Sequence, residues 1–330
     1  MKLRRVWTGS ALEVQISGSE GWVSLATALT SVSARQHDTD AQLWAGDIVS
    51  FLAAPASIRA EVERAAANIP ASPDNGATVV IPFEPRSFRE FMLFERHAVD
   101  AARGFVRRFK PHLMPIVSAY ETVTGRTFPA LRPNPLWYRE PIYYMGNHMA
   151  FSTDGDAIAI PSYTHALDYE LEIGFVLARE LFNAVPDEAE AAIGGFVVLN
   201  DFSARDVQLD EMRSGFGPQK SKHFRNAISS VVVSADEVPH NWRSLRGFVR
   251  LNGKLIAEPE AAEARWTLGE VLAHASKSER LYPGEFFGTG TLPGGSGIEA
   301  GRLLSAGDVI EIGIGGIGSL TNRIVKPEKP

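Results

Sequence analysis

The run Leu167–Leu177 carries the first sign of chemistry. Tyr169, Leu171, Ile173, Phe175 and Leu177 alternate with Glu170, Glu172, Gly174 and Val176, a period of two that predicts a strand with both carboxylates on one face. Residues i and i+2 lie roughly 7 Å apart at the backbone, so both Glu side chains can converge on one cation. Glutamates on a solvated sheet face give the same alternation, so the pair takes its meaning from its company. A second apolar run, Phe196–Leu199, ends in Asn200-Asp201. It places a third carboxylate at a strand end, after a helix expected at Asp187–Ile193, although Asp201 could equally cap a helix from Phe202 onward. The chain has no cysteine, which removes disulfides, thiolate nucleophiles and thiolate metal sites together. Three acidic oxygens without thiolate suit a hard divalent cation, Mg²⁺ first, with Mn²⁺ or Ca²⁺ as alternatives.

The elements that must hold these groups are legible in outline. The chain has 330 residues, 45% hydrophobic and 22% charged, a globular composition with length for one large or two unequal domains. Its 33 Lys and Arg against 39 Asp and Glu leave a net charge of −6, which argues against a nucleic-acid partner. Residues Met1 to Gly18 reach Thr8, Ser10 and Glu13 before any apolar core forms, unlike a signal peptide. No apolar run approaches membrane-span length, so a cytoplasmic location without membrane contact is expected. Leu12–Ile16 and Trp22–Leu25 flank a Ser/Gly-rich turn and predict a hairpin, with a helix at Ala56–Ala67. Pro70, Pro73, Asn75 and Gly76 predict a loop before the strand Thr78–Ile81, dividing a small N-terminal domain, 1–80, from a larger one, 81–330. Arg86 to Lys110 reads as locally basic and helix-like. Asn252-Gly253 between Gly247–Leu251 and Lys254–Ala257 predicts a hairpin, and Asp308–Ile312 with Ser319–Val325 a strand-rich C-terminal end.

Asp168-Tyr169-Glu170-Leu171-Glu172-Ile173-Gly174, followed by Leu199-Asn200-Asp201-Phe202-Ser203-Ala204-Arg205-Asp206-Val207-Gln208, resembles the fumarylacetoacetate hydrolase family. Phe91–His97 resembles that family's upstream histidine segment, and Gly288-Thr289-Gly290-Thr291 with Gly307–Ile312 its C-terminal part, so the likeness runs from about Arg86 to Val325. It implies an α+β, strand-rich fold: a mixed β-sheet roll with flanking helices, preceded by a small N-terminal domain and assembled as a homodimer.

The resemblance also implies roles. The metal ligands would be Glu90, Glu170, Glu172 and Asp201. Glu90 stands where the family has aspartate, and the extra methylene moves its carboxylate by about 1.5 Å. His97 matches the histidine that activates water and needs a partner to fix its tautomer; Asp100, one helical turn on, and Glu299 are the candidates. Tyr144, Arg205, Gln208 and Thr291 would contact substrate, and Lys222 would supply positive charge, with Lys220 as its rival because the segment Gln219–Ala227 departs from the family pattern.

Gly313–Gly318 fits G-x-G-x-x-G, but a dinucleotide site needs a helix and a second strand after it, and only a strand and a charged tail follow. The expected function is hydrolysis of a carbon–carbon bond in a small 1,3-diketo acid, an acylpyruvate or fumarylacetoacetate-like compound of aromatic catabolism, through an enolate held at the metal. A decarboxylase, isomerase or hydratase acting on a 2-oxo acid is the alternative, and a binding protein that has lost the chemistry is a third reading.

Overall fold

The structure is a computed structural model, and residues 1–32, 39–72 and 76–327 are described. Pro73 and Asn75 of the expected linker lie outside the described residues. A twelve-stranded sheet runs through most of the molecule. Its main path is Trp22–Ser24, Leu12–Ser17, Lys2–Trp7, Val231–Ser234, Ile193–Asn200, Leu171–Leu177, Glu285–Gly288, Ser87–Phe91 and Tyr143–Met145. Neighbours along it are antiparallel except Glu285–Gly288 beside Ser87–Phe91. A five-stranded sheet packs nearby, built around the Gly247–Leu251/Lys254–Ala257 hairpin and the pair Val309–Ile314/Gly318–Val325. This is the α+β, strand-rich fold expected.

The N-terminal strands are continuous with the large sheet, because Lys2–Arg4 pair with Val231–Val233. Leu3, Ile16, Phe51 and Val62 share one hydrophobic core with Val176, Val197 and Phe286 of the central strands. Leu171, Ile173, Phe175 and Leu177 pack into another core on the opposite face. The central strand is therefore covered on both faces, and Glu170 and Glu172 are buried.

Two local expectations change. Arg86–Lys110 is not one helix: Ser87–Phe91 is a strand and the helix covers Glu95–Phe109. Phe88 and Phe91 are buried on the sheet, and tertiary packing there outweighs helix propensity. The helix before Ile193 is a single turn and a half, Pro186–Glu190, because Ile193 already belongs to the next strand. The hairpin at Asn252-Gly253 holds, with φ of 53° and 78° as a type I′ turn requires. Gly313–Gly318 forms the bend between two antiparallel strands, which a dinucleotide site does not use.

Candidate active site

Neighbouring strand ends build a cavity of about 510 Å³ whose lining includes Glu90, His97, Glu172, Asp201, Arg205 and Lys222. Glu90 lies directly opposite Tyr144 across one strand pair and Gly288 across the other. A Cβ at Gly288 would overlap the Glu90 carboxylate, so glycine there leaves room for it. Glu172 faces Leu199 in register, two residues before Asp201. The oxygens of Glu90, Glu172 and Asp201 come within 4.8 Å of one another, and all three residues are buried. Gly290 has φ of +80°, a conformation that favours glycine. Its N–H donates to Glu90 Oε1 at 2.9 Å and to Glu172 Oε2 at 3.2 Å. Thr291 Oγ1 donates to Glu172 Oε1 at 3.2 Å, and Tyr144 OH to Asp201 Oδ2 at 2.8 Å.

This group carries more negative charge than its hydrogen bonds satisfy. Burial, then repulsion from Glu172 and Asp201, pushes the Glu90 carboxyl well above its ordinary range. Burial also takes Glu172 up to about 8, with Asp201 and Glu170 adding to it against a hydrogen bond with Glu90. Glu90 Oε2 has no N–H or O–H donor among the described residues. Three buried, mutually repelling carboxylates with an orphan oxygen suit a hard divalent cation, whose charge offsets their repulsion and whose vacant positions accept oxygen.

Glu170 is held differently. Its side chain accepts from Arg205 Nη2 at 2.6 Å, from Ser203 Oγ at 3.0 Å and from Lys222 Nζ. Burial opposes its charged form, but Arg205 and Lys222 outweigh that and set its pKa well below the ordinary value. The structure thus brings together three of the four expected ligands and engages the fourth with cations. Lys222 Nζ also donates to Asp201 Oδ2 at 2.5 Å. Lys220, the rival, is exposed on the surface.

His97, in the first turn of the Glu95–Phe109 helix, is buried. Its Nδ1 lies 3.1 Å from Glu299 Oε2 and its Nε2 3.5 Å from Glu170 Oε1. Glu299 is fixed by the cap of a short helix, accepting from the Gly294 N–H at 3.0 Å and from Ser296 Oγ at 2.7 Å. Asp100 is not the partner. It accepts from Arg103 Nη1 at 2.5 Å and is 38% exposed, because an arginine one turn on, reachable at i+3, draws it away from the imidazole. Burial works against the imidazolium, but Glu299 and Glu170 outweigh it and raise His97 to about 9. Gln208 Oε1 accepts from Arg205 Nη1 at 3.0 Å, so those two expected substrate contacts are linked to each other.

Three residues to which the sequence gives no role support these groups. Asp168 is wholly buried and accepts from Arg205 Nε at 2.8 Å and from the Ile298 N–H at 2.9 Å. The signal was present, since Asp168 precedes Glu170 and Glu172 at the same period of two. Asn200 Oδ1 accepts from the Glu170 N–H at 2.9 Å. The Asn226 amide, oriented to satisfy its neighbours, donates to Asp201 Oδ1 at 2.8 Å. Nothing in the local sequence marked Asn226.

Comparison with known proteins agrees with this geometry. Residues 120–325, well over half the chain, match the family model described as fumarylacetoacetate (FAA) hydrolase C-terminal. The chain belongs to the fumarylacetoacetate hydrolase family. It is 31% identical over 191 residues to the human mitochondrial oxaloacetate tautomerase, covering 57% of this chain and 83% of that one. It is 27% identical over 251 residues to the Escherichia coli homoprotocatechuate catabolism bifunctional isomerase/decarboxylase, 69% of this chain and 56% of the relative. Among solved structures of the same fold, a fumarylacetoacetate hydrolase from Exiguobacterium antarcticum superposes with a TM-score of 0.69 at 17% identity, covering 99% of this chain and 100% of that one. A maleylpyruvate hydrolase from Sphingobium sp. SYK-6, in complex with manganese(II) and pyruvate, gives 0.66 at 16% identity with the same coverage. The chain is an enzyme of this superfamily, whose members here include a tautomerase, an isomerase/decarboxylase and hydrolases. Among the described residues no helix is long and apolar enough to cross a membrane.

Proposed function

We propose that the protein is a divalent-metal-dependent hydrolase that cleaves the carbon–carbon bond of a small 1,3-diketo acid of the acylpyruvate type. The observation that carries this reading is the His97–Glu299 pair, 3.1 Å apart, beside a buried carboxylate triad in one cavity. Glu90, Glu172 and Asp201 would hold the cation, with Glu170 next to them. When bound, a divalent cation supplies Lewis acidity toward adjacent substrate oxygens and a positive charge that lowers His97 back toward neutrality.

The remaining steps belong to the protein's own groups. Glu299 holds Nδ1 and leaves Nε2 of neutral His97 to take a proton from water as its oxygen adds to the distal carbonyl. The bond between that carbonyl carbon and carbon 3 of the pyruvate unit then breaks, and its electron pair forms the pyruvate enolate. Protonation at carbon 3, with the proton taken from water returned through His97, gives pyruvate and the free acid. Lys222 has two of its three N–H bonds committed, to Glu170 and Asp201, which leaves one for developing oxyanion charge.

A second reading is supported by the named activities of the tautomerase and the isomerase/decarboxylase. The same pair could move a proton on and off carbon 3 without adding water. Incubation with acetylpyruvate and oxaloacetate, with Mg²⁺ or Mn²⁺ restored to stripped protein and products followed by NMR, separates them. Pyruvate plus acetate supports hydrolysis; carbon dioxide release or enol–keto exchange alone supports the alternative.

A further inference from the structure

The cavity changes character along its length, and the change bears on what a substrate can carry at its far end. His97, Ala101 and Phe105 line it at i, i+4 and i+8 of one helix, a single face that advances about 12 Å from the imidazole. The helix Arg205–Arg213 contributes Arg205 and Gln208 from its first turn, then Leu209 and the half-exposed Met212. Both helices thus present polar groups beside the carboxylates and only apolar ones farther along.

The buried cations in the lining, Arg205 and Lys222, direct their side-chain hydrogen bonds at the carboxylate end of the cavity. Arg205 donates to Asp168, Glu170 and Gln208, and Lys222 to Glu170 and Asp201. Arg132 is exposed, and its Nε and Nη2 donate to the Thr127 carbonyl at 3.1 and 2.9 Å. A carboxylate carried past the polar end, against Ala101, Phe105 and Leu209, would gain no buried cationic partner among the described residues. A hydrocarbon there is removed from water against Ala101, Phe105 and Leu209.

We propose that the site takes a 2,4-dioxo acid whose acyl group is an uncharged hydrocarbon tail, in preference to one ending in a second carboxylate. This rests on the reading of the site as an acylpyruvate site. Alanine at 101 leaves width, and Phe105, whose ring packs on Phe109 at 4.7 Å between centroids, adds an aromatic face to the same wall.

The test compares pentanoylpyruvate with succinylpyruvate, of similar length but differing in the terminal carboxylate, with acetylpyruvate as the short reference. In metal-supplied protein, kcat/KM for pentanoylpyruvate is expected to exceed that for succinylpyruvate by on the order of tenfold or more. Pentanoylpyruvate is also expected to raise the thermal midpoint more than succinylpyruvate at equal concentration. Leu209→Arg and Met212→Arg each place a cation in the distal half and are expected to move the ratio about tenfold toward succinylpyruvate. A succinylpyruvate preference in wild type, by kinetics or by thermal shift, overturns the proposal while acetylpyruvate turnover leaves the hydrolase reading standing. If none of the three is turned over, the hydrolase reading fails and the thermal shifts still decide the tail preference.

Discussion

Asp168 and Glu170, which both accept from Arg205, and Glu90 and Glu172, which do not, are equally deep, at 0%, 3%, 3% and 1% exposure. Arg205 bridges the first pair and, with Lys222, holds Glu170 well below its ordinary pKa, while burial outweighs Arg205 at Asp168 and leaves that carboxyl raised. The second pair faces Asp201 and the Gly290 N–H; burial lifts both, with repulsion from Glu172 and Asp201 adding to it at Glu90 and repulsion from Asp201 and Glu170 at Glu172. Equal burial with opposite compensation separates scaffold from receptor. Glu170, paired by fixed cations, organises the site, whereas Glu90 and Glu172, left with excess charge, create a demand that a bound cation can meet; Asp201 belongs to both sets, since it also accepts from Lys222.

The comparison breaks most severely at Arg205. Arg205→Met strands two buried carboxylates and is expected to lower stability by about 3–5 kcal/mol in chemical denaturation. His97→Asn is expected to lower kcat by about 10²–10⁴-fold while the fold survives by circular dichroism, since it removes the proton acceptor.

Glu172→Gln should act in the opposite sense from Arg205→Met, stabilising metal-free protein by about 1–2 kcal/mol because it relieves repulsion. The sign extends to pH. A carboxyl raised from 4.5 to about 8 on folding binds more protons folded than unfolded. Metal-free protein therefore loses this contribution as pH rises from 4.5 toward 8. Thermal melts in chelator should show that slope in wild type and a flatter one in Glu172→Gln. The His97 contribution has its own window, present below pH 6.5 and lost as pH rises through about 9. The smallest effect belongs to Asp100→Asn: with its carboxylate on Arg103 and 38% exposed, stability should shift by no more than about 0.5 kcal/mol. Its kcat should match wild type, whereas Glu299→Gln should lower kcat.

Much of this site could be read before the fold was known because strand periodicity is local. The alternation around Glu170 and Glu172 and the strand end at Asp201 follow from side-chain direction alone. It could not reveal that N-terminal residues such as Leu3 and Phe51 share a core with Val176 and help bury what alternation alone leaves facing solvent. Nor could it divide Glu170 from Glu172, since the distinction is made by Arg205 and Lys222, distant in sequence. Asp100 and Glu299 were indistinguishable as partners of His97 until the cap at Ser296 placed Glu299 against Nδ1. The helical reading of Ser87–Phe91 failed because charged residues in a five-residue strand mask its buried phenylalanines.

Titration calorimetry of Mn²⁺ into stripped wild-type and Glu172→Gln protein at pH 7.5 tests the central claim most directly. One site per chain in wild type, with affinity weakened by about 100-fold or more in Glu172→Gln, is the expected result. Equal affinity in the two proteins would contradict the assignment of the uncompensated carboxylates as the cation's seat.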